Sequence, residues 1–152
     1  MTFPARQRRL LRDEDGDLAV LEGRTIAVLG YGLLGRPLAL NLRETGAGTV
    51  IVGSDDQPSS AQAVADGFVV ESLAEATAAA DVALLLVPDE AQPEVMERIA
   101  PRLRPCSTLL FASGYALAYD LVSPPPGVNI VLFAPRMSGD PIRARFLAGQ
   151  GF

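Results

Sequence analysis

Short apolar runs alternate along the chain with stretches whose apolar residues recur at helical spacing. The runs cover 24–29, 49–53, 68–70, 82–87, 108–112 and 128–134. After the first run, Leu34, Leu38 and Leu42 recur as on one face of a helix. Strands that alternate with helices at these intervals are typical of a sheet covered on both faces. We therefore predict an α/β fold with a doubly wound, mostly parallel sheet.

The segments between the runs complete this outline. The pattern predicts helices over 61–66, 73–80 and 88–103, and a polar loop over 55–60. Gly46 and Gly48 mark the end of the first helix, and the breaker at 123–127 (SPPPG) separates the last two strands. Residues 1–22 carry arginines and then acids, which predicts a charged N-terminal arm. Residues 23–152 are expected to form one domain.

Three glycines follow the first strand with the spacing G-x-G-x-x-G. Gly30 would make the tight turn, Gly32 would let a pyrophosphate approach the backbone, and Gly35 would let the helix pack closely on the strand. The first helix would then present its N–H groups to the phosphates. A structural turn without a ligand is the alternative. The context of an apolar strand and an amphipathic helix favours a Rossmann-like dinucleotide site.

An acidic pair follows the second strand, where such folds recognise the adenosine ribose. Asp55 lies twenty residues after Gly35, and Asp56 is beside it. A carboxylate there accepts hydrogen bonds from ribose hydroxyls and repels a 2′-phosphate. A solvated loop acid is the alternative. Ser59 and Ser60 could serve either cofactor. We expect NAD(H) rather than NADP(H).

Composition excludes several classes of protein. With 49% hydrophobic and 20% charged residues the chain is globular, and its formal net charge of −5 argues against a nucleic-acid surface. The longest apolar run, 82–87, is far shorter than the ~20 residues that span a bilayer. A lone cysteine excludes an internal disulfide. We expect a cytoplasmic protein with neither nucleic acid nor membrane as a partner.

The absent residue types restrict chemistry further. There is no histidine, lysine or tryptophan, and all thirteen basic residues are arginine. The commonest general base, Schiff-base chemistry and histidine-ligated metals are therefore excluded. We expect no metal site within this chain. Four charged residues after the fourth strand are typical of an exposed helix face: Glu94, Glu97, Arg98 and Arg102.

Five segments together resemble the N-terminal domain of the ketol-acid reductoisomerase (acetohydroxy-acid isomeroreductase) family. They read DGDLAVLEGRTIAVLGYG, GRPLALNLRETG, LLVPDEAQPEV, TLLFASGY and VLFAPRMSG, and the resemblance runs over about 15–151. It implies an oxidoreductase of branched-chain amino-acid synthesis that uses magnesium and NAD(P)H. In that family an alkyl group of an acetohydroxy acid migrates and the product is then reduced.

The resemblance also implies which residues hold the cofactor. Asp89 carries an alternative interpretation, as a first-turn acid that favours the helix dipole. Gly139 matches a glycine near the nicotinamide end. With the motif glycines and the loop residues named above, the expected cofactor contacts are Tyr31, Leu33, Leu34, Pro88, Asp89, Gln92, Ser113 and Gly139.

Three departures from the family pattern affect the expected activity. Ser113 stands at the family's catalytic histidine, and Arg136 stands at its lysine. The C-terminal helical domain, whose carboxylates hold magnesium in the family, has no counterpart in the sequence, so magnesium would need a C-terminal domain or a partner to supply carboxylates. We expect this chain to be the dinucleotide-binding part of an oxidoreductase. It would act within a homo-oligomer or with a partner chain that supplies the missing domain. A non-catalytic dinucleotide sensor and a reductase of another carbonyl compound are the alternatives.

Overall fold

The computed structural model describes residues 15–151, in which six strands form one parallel sheet. The strands are β1 (Thr25–Leu29), β2 (Thr49–Gly53), β3 (Val69–Glu71), β4 (Val82–Leu85), β5 (Thr108–Phe111) and β6 (Asn129–Leu132). Their order, β3-β2-β1-β4-β5-β6, reverses between β1 and β4. The predicted doubly wound sheet is confirmed. Such a reversal leaves a crevice outside the carboxyl ends of these two strands.

Helices cover both faces of the sheet. They are α1 (Gly35–Thr45), α2 (Gln57–Ala65), α3 (Leu73–Ala79), α4 (Gln92–Ile99), α5 (Tyr115–Ala118) and α6 (Asp140–Leu147). Within β1, Ala27 and Leu29 belong to a core cluster with α3, α4 and α5, whereas Val28 belongs to a second cluster with α1 and α2. Because successive strand side chains point to opposite faces, a continuous apolar run suits this two-sided burial.

Local signals at helix ends explain two of the boundaries. Ser72 and Glu75 form a reciprocal capping box at the start of α3. Gly46 ends α1 in the left-handed conformation, with φ 66°. A serine followed three residues later by a glutamate, and a glycine after the last helical residue, are signals of helix ends that can be recognised in the sequence.

The loop predicted over 55–60 is wrong from residue 57 onward. The Asp56 carboxylate accepts the Ser59 N–H at 3.0 Å, so α2 already begins at Gln57, with Pro58 in its first turn. An N-cap acid followed by proline is a helix-start signal.

Two of the predicted elements are shorter than expected. Strand β4 ends at Leu85, before the chain turns at Pro88. The helix predicted over 88–103 is a 3-10 turn (Asp89–Ala91), then α4, then a second 3-10 turn (Ala100–Arg102) that includes Pro101. Proline has no N–H to continue an α-helical ladder. Helices α5 and α6 are additional to the sequence prediction, although Asp140 and Pro141 are N-terminal signals.

Most of the predicted N-terminal arm, residues 1–14, lies outside the described residues. Its last part forms a 3-10 turn (Leu18–Leu21), capped by the Asp17 carboxylate, which accepts the Ala19 N–H at 2.9 Å. The Leu21 carbonyl accepts the Arg24 N–H at 3.1 Å. This turn therefore leads directly into β1.

Candidate functional site

The turn between β1 and α1 is built on two glycines that the fold itself requires. Gly30 has φ 98°, and its N–H donates to the Gly53 carbonyl at 2.9 Å. A Cβ on Gly35 would lie 1.9 Å from the Gly30 carbonyl oxygen, which no real packing allows. The roles predicted for both residues, tight turn and close packing of helix on strand, match this geometry.

Gly32, between them, has no such structural requirement. Its φ is not in the left-handed region, and a Cβ built on it would meet no atom within 4 Å. The residue is exposed at the mouth of a cleft. A side chain there would project into open space where the motif brings a pyrophosphate against the backbone. The packing of the described residues therefore gives no reason for a glycine at this position.

The cleft lies at the carboxyl ends of β1, β2, β4 and β5 and has a volume of about 950 Å³. This size falls within the range of cofactor sites. Residues predicted to bind the cofactor line much of it: Gly30, Tyr31, Gly32, Leu33, Leu34, Asp55, Asp56, Ser59, Pro88, Asp89, Gln92 and Ser113. The topology thus brings together residues from four separate segments of the chain.

Three predicted cofactor residues lie elsewhere. Gly35 is buried beneath the turn, and the Ser60 hydroxyl donates to the Ser54 carbonyl at 3.3 Å. Gly139 donates its N–H to the Leu33 carbonyl at 2.7 Å and borders a second, smaller cleft of about 360 Å³ beside α1. Gly35 and Ser60 therefore stabilise the segments that carry the cleft residues, and Gly139 stabilises the glycine turn through Leu33.

The cleft also contains residues that the sequence did not single out. They are mostly apolar side chains at strand ends and in the first turns of helices: Ser54, Leu73, Leu85, Leu86, Val87, Ala112 and Ser138. The available signal was positional, because residues directly after parallel strands face the crevice. Their residue types alone resemble core positions.

At the β2 end of the cleft, both acids are already engaged. One Asp55 oxygen accepts the Leu73 N–H at 3.2 Å, and the other pairs with the Arg98 guanidinium. Asp56 caps α2, and hydrogen bonds from the Ser59 hydroxyl and N–H hold the pKa of its carboxyl below the usual value. Arg98 therefore lies on the exposed face of α4, as predicted, and also forms an ion pair with a residue that lines the cleft.

At the β4–β5 end, three polar side chains form one chain of hydrogen bonds. The Ser113 hydroxyl donates to one Asp89 oxygen at 3.1 Å, and the Gln92 amide donates to the other at 3.0 Å. The Tyr115 N–H donates to the Ser113 hydroxyl at 3.2 Å. The Gln92 side-chain oxygen is buried without a hydrogen-bond partner among the described residues. Asp89 is thus a first-turn acid whose carboxylate is fixed by side chains that line the cleft.

Beneath the glycine turn, Tyr31 anchors α1 to the end of α2. Its hydroxyl donates to the Asp66 carboxylate at 2.9 Å, and Arg36 binds the same carboxylate through two nitrogens, at 2.7 and 3.2 Å. The hydrogen bonds from Arg36 lower the pKa of Asp66 to about 2, and burial raises the pKa of Tyr31. The Tyr31 side chain therefore stabilises the turn rather than offering a proton donor to the cleft.

Arg136, at the family's lysine position, is exposed and borders neither cleft. Nearby, Ser138 contributes to the large cleft instead. Among residues 15–151, no three carboxylate or thiol side chains come close enough to hold a metal ion. The described part of the chain therefore does not fit the magnesium site that the resemblance implies. No helix within that part is long and apolar enough to cross a bilayer.

Comparison with known proteins agrees with this geometry. The sequence profile of the acetohydroxy acid isomeroreductase NADPH-binding domain matches residues 20–152. The ketol-acid reductoisomerase (NADP(+)) of Pyrobaculum calidifontis is 44% identical over 144 residues. That alignment covers 94% of this chain and 44% of the relative. The chain thus spans less than half the length of the curated relatives it matches.

Solved structures extend the comparison. An NADH-preferring ketol-acid reductoisomerase from an uncultured archean superposes with a TM-score of 0.89 at 34% identity, over 95% of this chain and 45% of that one. The 3-hydroxyisobutyrate dehydrogenase of Mycobacterium tuberculosis has a TM-score of 0.65 at 24% identity, over 83% and 44%. The second likeness shows only the shared fold.

The match over residues 20–152 includes the glycine turn, the acidic loop and the cleft-lining segments after β4 and β5. The sequence resemblance is confirmed on these residues. The chain belongs to the acetohydroxy acid isomeroreductase (ketol-acid reductoisomerase) family, and it matches the pyridine-dinucleotide-binding domain of that family.

Proposed function

We propose that this chain is the cofactor-binding part of an oxidoreductase that resembles ketol-acid reductoisomerase and serves branched-chain amino-acid synthesis. The observation that carries the proposal is Gly32: it faces the cleft, and the protein's own packing gives no reason for a glycine there. The start of α1, which carries no side-chain cap, would present its N–H groups to the pyrophosphate. A cytoplasmic location is part of the same proposal.

The bound dinucleotide would supply the hydride, and the chain would supply position and polarity. Leu33 and Val87, which both line the cleft, would exclude water from the bound cofactor. The fixed Asp89 carboxylate would orient Ser113 through its hydroxyl hydrogen bond. Ser113 is a weak proton donor near neutral pH, because a serine hydroxyl titrates far above that range and its proton is already engaged by the Asp89 carboxylate.

We propose NAD(H) as the preferred cofactor. Two acids, Asp55 and Asp56, line the adenosine end, and a 2′-phosphate against them would cost about 1–3 kcal/mol in binding. The NADH-preferring archaeal relative supports this choice, whereas the curated relatives carry NADP(+) in their names. The Leu73 N–H and Arg98 offset part of the Asp55 charge, so the preference should be moderate.

The complete isomeroreductase reaction would need more than this chain. The alkyl shift requires metal ions that polarise adjacent oxygens, and residues 15–151 bring together no carboxylate cluster for them. We propose that a second copy, a partner chain or a C-terminal domain supplies that cluster. The exposed apolar side chains of β6 (Ile130, Val131 and Leu132) support a contact surface there.

Two observations favour the alternative that the chain binds a dinucleotide without isomeroreductase chemistry, as a sensor or as a reductase of another carbonyl compound. Ser113 replaces the histidine of the family pattern, and Arg136 lines neither cleft. Adding the missing carboxylates would not by itself restore a proton donor at Ser113.

Calorimetric titration with NADH and NADPH tests the proposal. We expect NADH to bind more tightly, by between fivefold and a hundredfold, which corresponds to about 1–3 kcal/mol. Asp55→Ala should reduce the difference between the NADH and NADPH dissociation constants. A wild-type protein that binds neither dinucleotide would refute the function, and tighter NADPH binding would refute the cofactor choice alone.

A further inference from the structure

The Arg98 guanidinium lies next to the adenosine end of the cleft. It does not line the cleft, but it pairs with Asp55, which does. Arg98 extends from α4 to the carboxylate of Asp55, which lies in the loop after β2. The two residues are 43 positions apart in sequence, so the fold brings them together. The side chains of Arg98 and Asp55 are 47% and 31% exposed, so solvent reaches both of them.

This ion pair changes the charge that a cofactor meets. Asp55 and Asp56 together carry two negative charges, and Arg98 compensates one of them. An exposed pair of this kind contributes only about 0–1 kcal/mol to stability. Its larger effect falls on a charged group that approaches the carboxylate, because the Coulomb energy of such a group depends on the sum of the nearby charges.

Geometry also restricts Asp55. One oxygen accepts the Leu73 N–H at 3.2 Å, and the other faces Arg98. The lone pairs that remain can accept a ribose hydroxyl, while the guanidinium keeps donors that a phosphate could use. In this fold the ribose 2′ position is read at the end of the second strand, by an acid for a hydroxyl or by a nearby arginine for a phosphate.

We propose that Arg98 is a specificity-determining residue: its ion pair with Asp55 limits the rejection of a 2′-phosphate at the adenosine end. The inference rests on the proposed dinucleotide function and adds a residue from α4 to it. Removing the arginine should leave Asp55 uncompensated and penalise NADPH. Removing the charge of Asp55 should free the arginine and favour NADPH.

The test measures NADH and NADPH dissociation constants by calorimetry for wild type, Arg98→Gln, Arg98→Lys and Asp55→Asn. Arg102→Gln is the matched control, because Arg102 is one turn further along, exposed, and has no carboxylate partner within 4 Å among the described residues. Circular dichroism and thermal unfolding would establish that each variant is folded.

For Arg98→Gln we expect NADPH affinity to fall on the order of tenfold and NADH affinity to change by less than about threefold. Arg98→Lys should restore most of the loss, and Asp55→Asn should strengthen NADPH binding. Arg102→Gln should leave both constants unchanged.

Equal changes for both cofactors, or no change, in folded Arg98→Gln would overturn the role of Arg98 while leaving the proposed function intact. A wild-type chain that prefers NADPH, combined with the selective loss in Arg98→Gln, would support Arg98 and refute only the NAD(H) preference. Failure of wild type to bind either cofactor would refute both proposals.

Discussion

At the glycine turn that begins the cleft, Gly30 and Gly35 are fixed by the packing of β1, β4 and α1. Near Ser113, at the other end of the cleft, lies β6, a strand whose four residues are all exposed. Strand β1 is buried on both faces, as a central parallel strand should be. Strand β6 has an equally apolar sequence, NIVL, without that burial. The apolar pattern therefore predicts which residues form strands. Whether a strand is buried depends on its position in the sheet.

The largest expected effect separates two glycines of the same turn. Gly35→Ala should destabilise the protein by about 3 kcal/mol or more, because its Cβ would meet the Gly30 carbonyl oxygen at 1.9 Å. Gly32→Ala should leave the free energy of unfolding nearly unchanged and weaken NADH binding. Urea unfolding and calorimetry on both variants measure the contrast. Equal destabilisation of the two would contradict the separate roles.

A second contrast compares neighbouring strands. Leu109→Ala in β5 removes a fully buried side chain and should cost about 2–5 kcal/mol. Leu132→Ala in β6 removes one that is 56% exposed and should cost less than about 0.5 kcal/mol in the isolated chain. Chemical unfolding of both variants checks the difference. A large loss for Leu132→Ala would mean that a self-association of the chain already buries β6.

Asp66 should make stability depend on acid pH. Hydrogen bonds from Arg36 lower its folded pKa to about 2, below the usual value near 4, so its contribution is complete above about pH 4 and is lost as the pH falls toward 2. Asp66→Asn should cost about 1–2 kcal/mol at pH 6 and much less near pH 2.

Unfolding of wild type and Asp66→Asn across this pH range measures the effect. Asp120→Asn is the control: it changes an exposed acid at a left-handed position that asparagine tolerates. A pH-independent difference between wild type and Asp66→Asn would show that the carboxylate charge is not what holds Tyr31 and Arg36.

The smallest effect is expected at Ser113. Its hydroxyl makes one hydrogen bond to Asp89 and accepts one from the Tyr115 N–H, so Ser113→Ala should change NADH affinity by less than about threefold. With NADH, magnesium and 2-acetolactate, neither wild type nor variant should show steady cofactor oxidation. Turnover by the wild-type chain that Ser113→Ala abolishes would make Ser113 a catalytic residue.

Sequence reasoning was strongest where a residue's role depends on its near neighbours. The strand–turn–helix around Gly30 and the helix stop at Gly46 follow from local conformational limits. It was weaker at 55–60, where the Asp56 cap and Pro58 start a helix inside a segment that composition describes as a loop. The polar composition of this segment favours a loop, whereas the Asp56 cap favours a helix start, and the structure has the helix.

Other features depend on contacts between distant segments and could not be predicted. The Asp55–Arg98 pair joins the loop after β2 to α4. The Asp66 carboxylate, shared by Tyr31 and Arg36, joins the start of α1 to the end of α2. The hydrogen bond from the Gly139 N–H to the Leu33 carbonyl forms where α6 packs beside α1. Each depends on tertiary packing rather than on periodicity.

A crystal structure of this chain grown with NADH tests the central claim most directly. We expect the pyrophosphate within hydrogen-bond distance of the backbone N–H groups at Gly32 and the start of α1, with the adenosine ribose beside Asp55 and the nicotinamide toward Ser113. A dinucleotide bound outside the cleft, or one whose pyrophosphate does not contact the Gly32 turn, would contradict it.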